Sequence, residues 1–161
     1  MNQSLFLDTP VFFQCIEQPS YRTILEHALN AGYRITTSIS VLGEAVTQMY
    51  EKTDSTGYII SLNKLIHDWD TTSLFPDDRV RVLCYVMGDD ETDTRMIREP
   101  TDRTHLAYAM AYNSDYFLTT DKNLIRYQVA SLLYDAGFCK PKTMPLEKFR
   151  NTILKKRSHA S

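Results

Sequence analysis

The sequence predicts an α/β fold with a mainly parallel sheet and helices on both faces. Short runs of apolar or β-branched residues, such as 33–38, alternate with longer segments in which apolar residues recur at helical spacing. This alternation is typical of parallel sheets whose strands are joined by right-handed helical crossovers. With 161 residues, 43% of them hydrophobic, the chain is long enough to form one domain with a substantial core.

The first half of the chain is predicted to contain two strands and three helices. In order, they are a strand at 4–8 that Thr9-Pro10 breaks, a helix at 21–29 that stops at Gly32, a strand at 33–38, a helix capped by Ser40, and an amphipathic helix at 59–69. The apolar stripe of the last helix favours core packing, with a partner or dimer surface as the alternative.

The second half continues the alternation of helices and strands. In order, we predict a weak strand at 71–75, a helix from Pro76-Asp77-Asp78 to Gly88, a polar loop at 89–100, an alanine-rich helix after Asp102, a buried strand at 116–118, a helix at 124–136 closed by Gly137, and an edge strand within 139–146. We expect residues 1–147 to form the domain and 148–161 to form a basic, flexible tail that is either solvated or contacts RNA.

The bulk composition excludes several classes of protein. The formal net charge of −2 gives no global field that would attract nucleic acid. We expect no secretory signal, because the N-terminus lacks a basic region followed by a long apolar run, and no apolar run approaches membrane-spanning length. The three cysteines are far apart and lack C-x-x-C spacing, which favours buried free thiols in a reducing compartment. A cytoplasmic protein without a membrane partner is therefore expected.

Four acidic residues are predicted to meet at one edge of the sheet. Asp8 ends the first strand, Glu44 lies near the start of the helix after the second strand, and Asp121 follows the strand at 116–118. Asp102 opens the alanine-rich helix, which should begin at the same edge. Sites in such sheets form outside the carboxyl ends of the strands. Asp115 precedes its strand, so we exclude it as a residue of the opposite edge.

Four clustered carboxylates require compensation for their charge. Like charges raise one another's pKa values unless protons are shared or a cation neutralises them. No histidine or cysteine occupies the four positions, so the predicted ligands are hard oxygens, which favour Mg²⁺ or Mn²⁺ over Zn²⁺. Such a cation binds phosphate oxygens and lowers the pKa of an attacking water, which favours phosphodiester hydrolysis. His105 lies one turn from Asp102, and we interpret this lone histidine as structural.

Taken singly, each acid also has an ordinary structural interpretation. Asp8 before Thr9-Pro10 is typical of a turn, and Asp102 and Asp121 are typical helix N-caps. Glu44 is equally typical of a solvated helix surface. The functional interpretation therefore depends on all four acids reaching the same sheet edge under one topology.

Four stretches of the chain resemble the PIN-domain family. They are L-F-L-D-T, T-S-I-S-V-L-G-E-A, D-R-T-H-L-A-Y-A-M-A and F-L-T-T-D-K-N-L, in the family's order and spacing over nearly the whole chain. The resemblance implies a Rossmann-like, five-stranded parallel sheet and a Mg²⁺- or Mn²⁺-dependent ribonuclease. It assigns the metal positions to Asp8, Glu44, Asp102 and Asp121, and gives Thr119 the hydroxyl position of the T-x-D motif, which would help to hold the metal site or its water.

The resemblance also implies partners. Many small stand-alone members of the family are VapC-type toxins of toxin–antitoxin pairs, so an antitoxin protein and a homodimer are expected beside the RNA substrate. Arg103 and Lys122 adjoin two site acids and are candidates for phosphate contact. The chain departs from the family pattern at Gly43, directly before Glu44, and in the length of the 89–100 loop and of the tail.

Two other functions compete with the ribonuclease hypothesis. One is a PIN-like module that binds RNA or a protein without cutting it, which the departures at Gly43 and in the loop motivate. The other is a Mg²⁺-dependent phosphatase acting on small phosphomonoesters. A phosphotransferase of the haloacid-dehalogenase type is disfavoured, because it needs a second aspartate two residues after the first, where this chain has Pro10.

Overall fold

A five-stranded, fully parallel sheet forms the centre of the protein. The computed structural model describes residues 3–88, 97 and 99–158, with the backbone alone for 154–158. The strands are β1 (Ser4–Leu7), β2 (Arg34–Ser38), β3 (Thr72–Leu74), β4 (Tyr116–Leu118) and β5 (Lys142–Met144). Their order across the sheet is β3-β2-β1-β4-β5, and all four neighbouring pairs run parallel. The predicted α/β class with a mainly parallel five-stranded sheet is confirmed.

Helices connect these strands. Along the described part of the chain they are α1 (Thr9–Glu17), α2 (Pro19–Asn30), α3 (Ile39–Tyr50), α4 (Ser55–Asp68), α5 (Asp78–Val86), α6 (Pro100–Ala111), α7 (Lys122–Arg126), α8 (Ser131–Asp135) and α9 (Leu146–Ser158). No described helix is long and apolar enough to cross a membrane. The predicted loop at 89–100 lies outside the described residues except for Ile97, Glu99 and Pro100, which already begins α6.

The core lies around the central strand, β1, and its neighbour β4. Leu5, Phe6 and Leu7 of β1 are fully buried, and every residue of β4 is buried. Such continuous apolar runs are what a strand needs when helices cover both faces of its sheet. The apolar stripe of α4 packs in the same core, since Leu62 and Trp69 are buried. The core interpretation of that stripe is therefore confirmed.

Helix α1, near the start of the chain, was not predicted from the sequence. The strand ends before Thr9-Pro10, as predicted, but these residues also form the first two positions of α1. A proline fits there because the first helical N–H groups have no partner within the helix. The start of α3 also differs from the prediction, because Ser38 and not Ser40 caps this helix. The Ser38 hydroxyl accepts a hydrogen bond from Val41 N at 3.2 Å.

The single helix predicted at 124–136 is two short helices, α7 and α8, and Lys140 explains the interruption. Its ammonium group donates to the carbonyl oxygens of Leu124, Ile125 and Tyr127 at 2.6, 3.0 and 2.7 Å. Three carbonyls that would otherwise bind amides of a continuing helix are thus satisfied by one side chain, so the chain can leave the helix at Tyr127.

Helix α9 includes residues 148–158 of the predicted basic tail. The boundary expected at 148 falls inside α9, and Phe149 and Ile153 are buried. The Phe149 ring packs edge-on against Tyr33 and Tyr116. The apolar residues of this segment therefore attach it to the core, although basic residues dominate its composition. Of the three cysteines, Cys15 is buried as expected, whereas Cys139 is exposed.

Gly43 offers a test of helix propensity beside a site residue. It lies within α3, it is exposed, and an added Cβ would meet nothing within 4 Å. We expect Gly43→Ala to raise the free energy of unfolding by about 0.5–1 kcal/mol, because glycine loses more backbone entropy on helix formation. Urea denaturation measures this. Gly57→Ala is the matched control in α4: its methyl would displace the Asp54 carboxylate that caps the helix, so no gain is expected. Equal gains at both positions would contradict this account.

Lys140 offers a second test of stability. We expect Lys140→Met to lower the free energy of unfolding by about 1–3 kcal/mol, because it leaves part-buried carbonyls without a donor. The exposed Lys148 provides the control, and Lys148→Met should stay within about 0.5 kcal/mol of wild type. Chemical denaturation of both variants measures the difference. A Lys140→Met variant as stable as its control would show that the helix ends at Tyr127 for another reason.

Candidate metal centre

The candidate site lies at the carboxyl edge of the central strand, β1, and its neighbour β4. In the parallel register, Leu7 of β1 pairs with Leu118 of β4. The next residues, Asp8 and Thr119, therefore leave the sheet side by side, and Asp8 N donates to Leu118 O at 3.0 Å. Both strand ends turn into helices, α1 and α7, whose first residues remain at this edge.

Asp8 is the most constrained of the four predicted acids. It is 4% exposed. One carboxylate oxygen, Oδ1, accepts from Thr9 N at 2.9 Å and lies 2.8 Å from Nδ1 of His105. The other, Oδ2, accepts from the Thr119 hydroxyl at 2.6 Å. Asp8 is also the N-cap of α1, so the structural role considered for it coexists with a place in the site.

Glu44 reaches the same place from the second turn of α3. Its Oε2 accepts a short hydrogen bond from the Thr9 hydroxyl, and its Oε1 accepts from Gln48 Nε2 at 3.2 Å. The side chain is about 30% exposed, so it is partly solvated. Gly43 does not loosen this turn, because α3 continues through it to Tyr50.

Asp121 caps the helix that follows β4. Its Oδ1 accepts from Asn123 N at 2.6 Å and from Leu124 N at 3.1 Å. Its own backbone N–H donates to the Thr119 hydroxyl at 3.1 Å, and the same hydroxyl donates to Asp8. Thr119 therefore links two of the predicted site acids through one side chain.

The pKa of Asp102 depends on its burial and on the charges of the other three acids. It lies in the first turn of α6, whose N-cap is Glu99, so Asp102 is not the capping residue considered from the sequence. Burial raises its pKa to about 6, and the carboxylates of Asp121, Asp8 and Glu44 add to the increase, whereas His105 opposes it. The four acids thus form one electrostatic cluster.

His105 joins the site, which the interpretation of it as structural did not anticipate. Oxygen atoms of Asp8 and Glu44 and a ring nitrogen of His105 lie within 4.8 Å of one another, a spacing that suits one metal ion. The signal was present in the sequence, because residues three apart share one face of a helix and His105 is three residues after Asp102. Predicting this contact from the sequence required knowing which face of α6 meets β1.

Asp115 and Arg103 occupy other places. Asp115 accepts from the backbone N of Ser4 at 2.8 Å, at the amino edge of the sheet, so its exclusion is confirmed. The Arg103 guanidinium lies against Gly88, just after α5. Lys122 is exposed at the first position of α7, directly after Asp121. Of the two side chains considered for phosphate contact, Lys122 is exposed, whereas Arg103 is partly buried.

The donor set at this edge fits a divalent cation. Carboxylates supply the oxygen ligands that Mg²⁺ and Mn²⁺ prefer. Burial, and after it the neighbouring carboxylates, raise the pKa of Asp102, and a bound cation would lower it. Among the described residues, oxygens of Asp8 and Glu44 and a ring nitrogen of His105 lie close enough together to share one ion, and Asp102 and Asp121 place further negative charge nearby.

Comparisons with known proteins identify the fold. No family sequence model and no curated protein matches the chain. Among solved structures, VapBC2 from Rickettsia felis bound to a DNA fragment from their promoter matches with a TM-score of 0.65 and 15% identity, covering 89% of this chain and 98% of that one. VapBC-1 from nontypeable Haemophilus influenzae gives a TM-score of 0.64 and 13% identity over 90% and 99% of the two chains. PAE2754 from Pyrobaculum aerophilum gives 0.62 and 11% over 95% and 90%.

These similarities extend over almost the whole of both chains, and the identities of 11–15% carry information about the fold alone. The parallel sheet order, the helices on both faces and the acidic edge agree with the expectation drawn from the four sequence stretches. The chain has the fold of the VapC-like PIN domains.

Proposed function

We propose that this protein is a divalent-metal-dependent endoribonuclease that hydrolyses RNA phosphodiester bonds. The observation that carries the proposal is the group of acidic side chains Asp8, Glu44, Asp102 and Asp121 at one sheet edge, where burial and the charges of three carboxylates together raise the pKa of Asp102 to about 6. A fold gains little from concentrating negative charge in this way, so a cationic ligand is the simplest reason for the arrangement.

The cation would be Mg²⁺ or Mn²⁺, held by these four acids. When bound, it supplies charge stabilisation at the phosphate and a lowered pKa for an attacking water. The chain's own residues hold the ligands in place. The Thr119 hydroxyl fixes Asp8 Oδ2, and the Thr9 hydroxyl fixes Glu44 Oε2, so neither carboxylate has to be ordered when the cation arrives.

The substrate assignment rests on the open side of the site. Glu44, Asp102 and Asp121 are only partly buried, so a polymer backbone can approach them from solvent. Lys122 follows Asp121 on the exposed side and supplies a positive charge for a neighbouring phosphate. A water would attack phosphorus in line, and the 3′ oxygen would leave.

We extend the proposal to the biological setting. Two solved structures with this fold are VapBC complexes, one of them bound to promoter DNA. By analogy, the chain acts in the cytoplasm as the toxin of a toxin–antitoxin pair, forms a homodimer and is inhibited by an antitoxin partner. A small neighbouring gene whose DNA-binding product co-purifies with this chain would support that role.

Exchange of single site acids tests the nuclease proposal. We expect Asp121→Asn and Asp8→Asn to lower Mn²⁺-dependent cleavage of a labelled RNA by at least about 100-fold, because each loses a charged ligand. Asparagine is a good N-cap, so Asp121→Asn should still fold, as circular dichroism would verify. Asp115→Asn, at the opposite sheet edge, is the control and should retain wild-type cleavage. Undiminished cleavage by a folded Asp121→Asn variant would refute the assignment.

Metal binding and substrate choice separate the competing functions. Calorimetry with Mg²⁺ and Mn²⁺ should show binding at or below millimolar concentration. Absence of any binding would instead favour a module that contacts RNA or protein without cutting it. Turnover of small phosphomonoesters without cleavage of RNA would favour a phosphatase.

The raised pKa of Asp102 predicts how the metal-free protein responds to pH. Its folded-state pKa, about 6, lies above the ordinary value of 3.8. Between these values the folded protein binds a proton that the unfolded chain does not, so acidification from pH 8 to pH 5 stabilises the fold through this group. We expect Asp102→Asn to be more stable than wild type at pH 8, to keep about half of this advantage at pH 5, and to lose most of it only below about pH 4. Thermal melts in a chelator measure the difference, and parallel pH profiles of the two proteins would contradict the raised pKa of Asp102.

A further inference from the structure

His105 is a buried residue with no role among the four proposed oxygen ligands of the site. Its side chain is 1% exposed and faces the site from α6, one turn after Asp102. Each ring nitrogen points towards a different predicted ligand: Nδ1 lies 2.8 Å from Asp8 Oδ1, and Nε2 lies 3.7 Å from Glu44 Oε2. The imidazole thus lies between two carboxylates that leave the sheet edge from different elements.

The contact with Asp8 assigns the tautomer of the ring. An ionised carboxylate can only accept hydrogen bonds, so the proton of neutral His105 is on Nδ1. Asp8 Oδ1 also accepts from Thr9 N at 2.9 Å, which fixes the carboxylate and with it the orientation of the ring. The neutral ring consequently presents the lone pair of Nε2 to the interior of the site.

The Nε2 atom is buried and has no hydrogen-bond partner among the described residues. The separation of 3.7 Å from Glu44 Oε2 is too long for a hydrogen bond. It does fall within the range for two ligands of one cation, which are at most about 4 Å apart when each bond is about 2.0–2.2 Å. A buried acceptor without a donor is costly unless another ligand completes it.

We propose that His105 Nε2 is a direct metal ligand beside Glu44 Oε2, which gives this site a mixed nitrogen and oxygen donor set. The proposal rests on the proposed metal-dependent function and adds the identity of the preferred cation. A metal-binding histidine characteristically donates its other N–H to a carboxylate, and the Nδ1 contact with Asp8 has this form.

The donor set determines which cation the site prefers. Imidazole nitrogen suits first-row transition metals, whereas Mg²⁺ prefers oxygen and retains much of its water. The site therefore favours Mn²⁺, Co²⁺ or Zn²⁺ over Mg²⁺, and Co²⁺ and Zn²⁺ bind more tightly than Mn²⁺. The oxygen-only ligand set expected from the sequence would prefer these transition metals over Mg²⁺ less strongly.

Two variants distinguish a role of His105 as a metal ligand from a role in positioning Asp8. In His105→Asn, the amide N–H₂ can replace Nδ1 and keep the bond to Asp8, but nothing replaces Nε2. In His105→Gln, the longer side chain can place an amide oxygen near the position of Nε2, which exchanges a nitrogen ligand for an oxygen ligand. Both are compared with the wild-type full-length chain by thermal melting and circular dichroism.

The decisive measurement is electron spin-echo envelope modulation of the Mn²⁺-loaded protein. We expect modulation from a directly bound imidazole nitrogen in the wild type and its loss in both variants. Calorimetry adds the affinities: His105→Asn should weaken Co²⁺ and Zn²⁺ binding by at least about tenfold while changing Mg²⁺ binding by less than about threefold.

The outcomes distinguish this proposal from the nuclease assignment. Wild-type protein that binds Mn²⁺ without imidazole modulation would overturn the ligand role even if neither variant folds, and would leave the ribonuclease proposal intact. Equal losses of Mg²⁺ and Co²⁺ affinity in His105→Asn would likewise overturn it in favour of a positioning role. Failure of the wild type to bind any divalent cation would overturn both proposals.

Discussion

The parallel pairing of β1 with β4 is the constraint on which the candidate site depends. Because Leu7 and Leu118 are in register, the residues that follow them, Asp8 and Thr119, emerge at the same edge and bond to each other at 2.6 Å. The two strands are far apart in sequence, and their pairing is stabilised by continuous apolar side chains packed between helices on both faces. The same hydrophobic core that stabilises the fold therefore determines where the charged groups meet.

Concentrating carboxylates at that edge requires local compensation. Asp8 tolerates near-complete burial because Thr9 N, the Thr119 hydroxyl and His105 all contact its oxygens. The N-terminal ends of α1 and α7 add positive dipole ends near Asp8 and Asp121, which cap them. Burial of Asp102, together with the charges of Asp121, Asp8 and Glu44, raises its pKa to about 6.

Structural and functional roles coincide in several of these residues. An aspartate that caps a helix uses one oxygen for backbone N–H groups, as Asp121 does with Oδ1, and still has lone pairs for another ligand. The ordinary interpretation of Asp8 and Asp121 as turn or cap residues and the functional interpretation are therefore both compatible with the geometry. The likeness to VapBC structures supports the fold of this edge, while the chemistry depends on the side chains that this chain places there.

The sequence by itself determined the α/β class, most strands and the edge to which Asp8, Glu44 and Asp121 belong, because apolar periodicity and the parallel-sheet rule act locally along the chain. It did not reveal α1, since Pro10 permits either a break or a first helical turn, nor the interruption after α7, which depends on Lys140 more than a dozen residues later. Only the tertiary structure decided that His105 faces Asp8. A helix surrounded by apolar residues, as α6 is, gives no sequence signal for which face meets which strand.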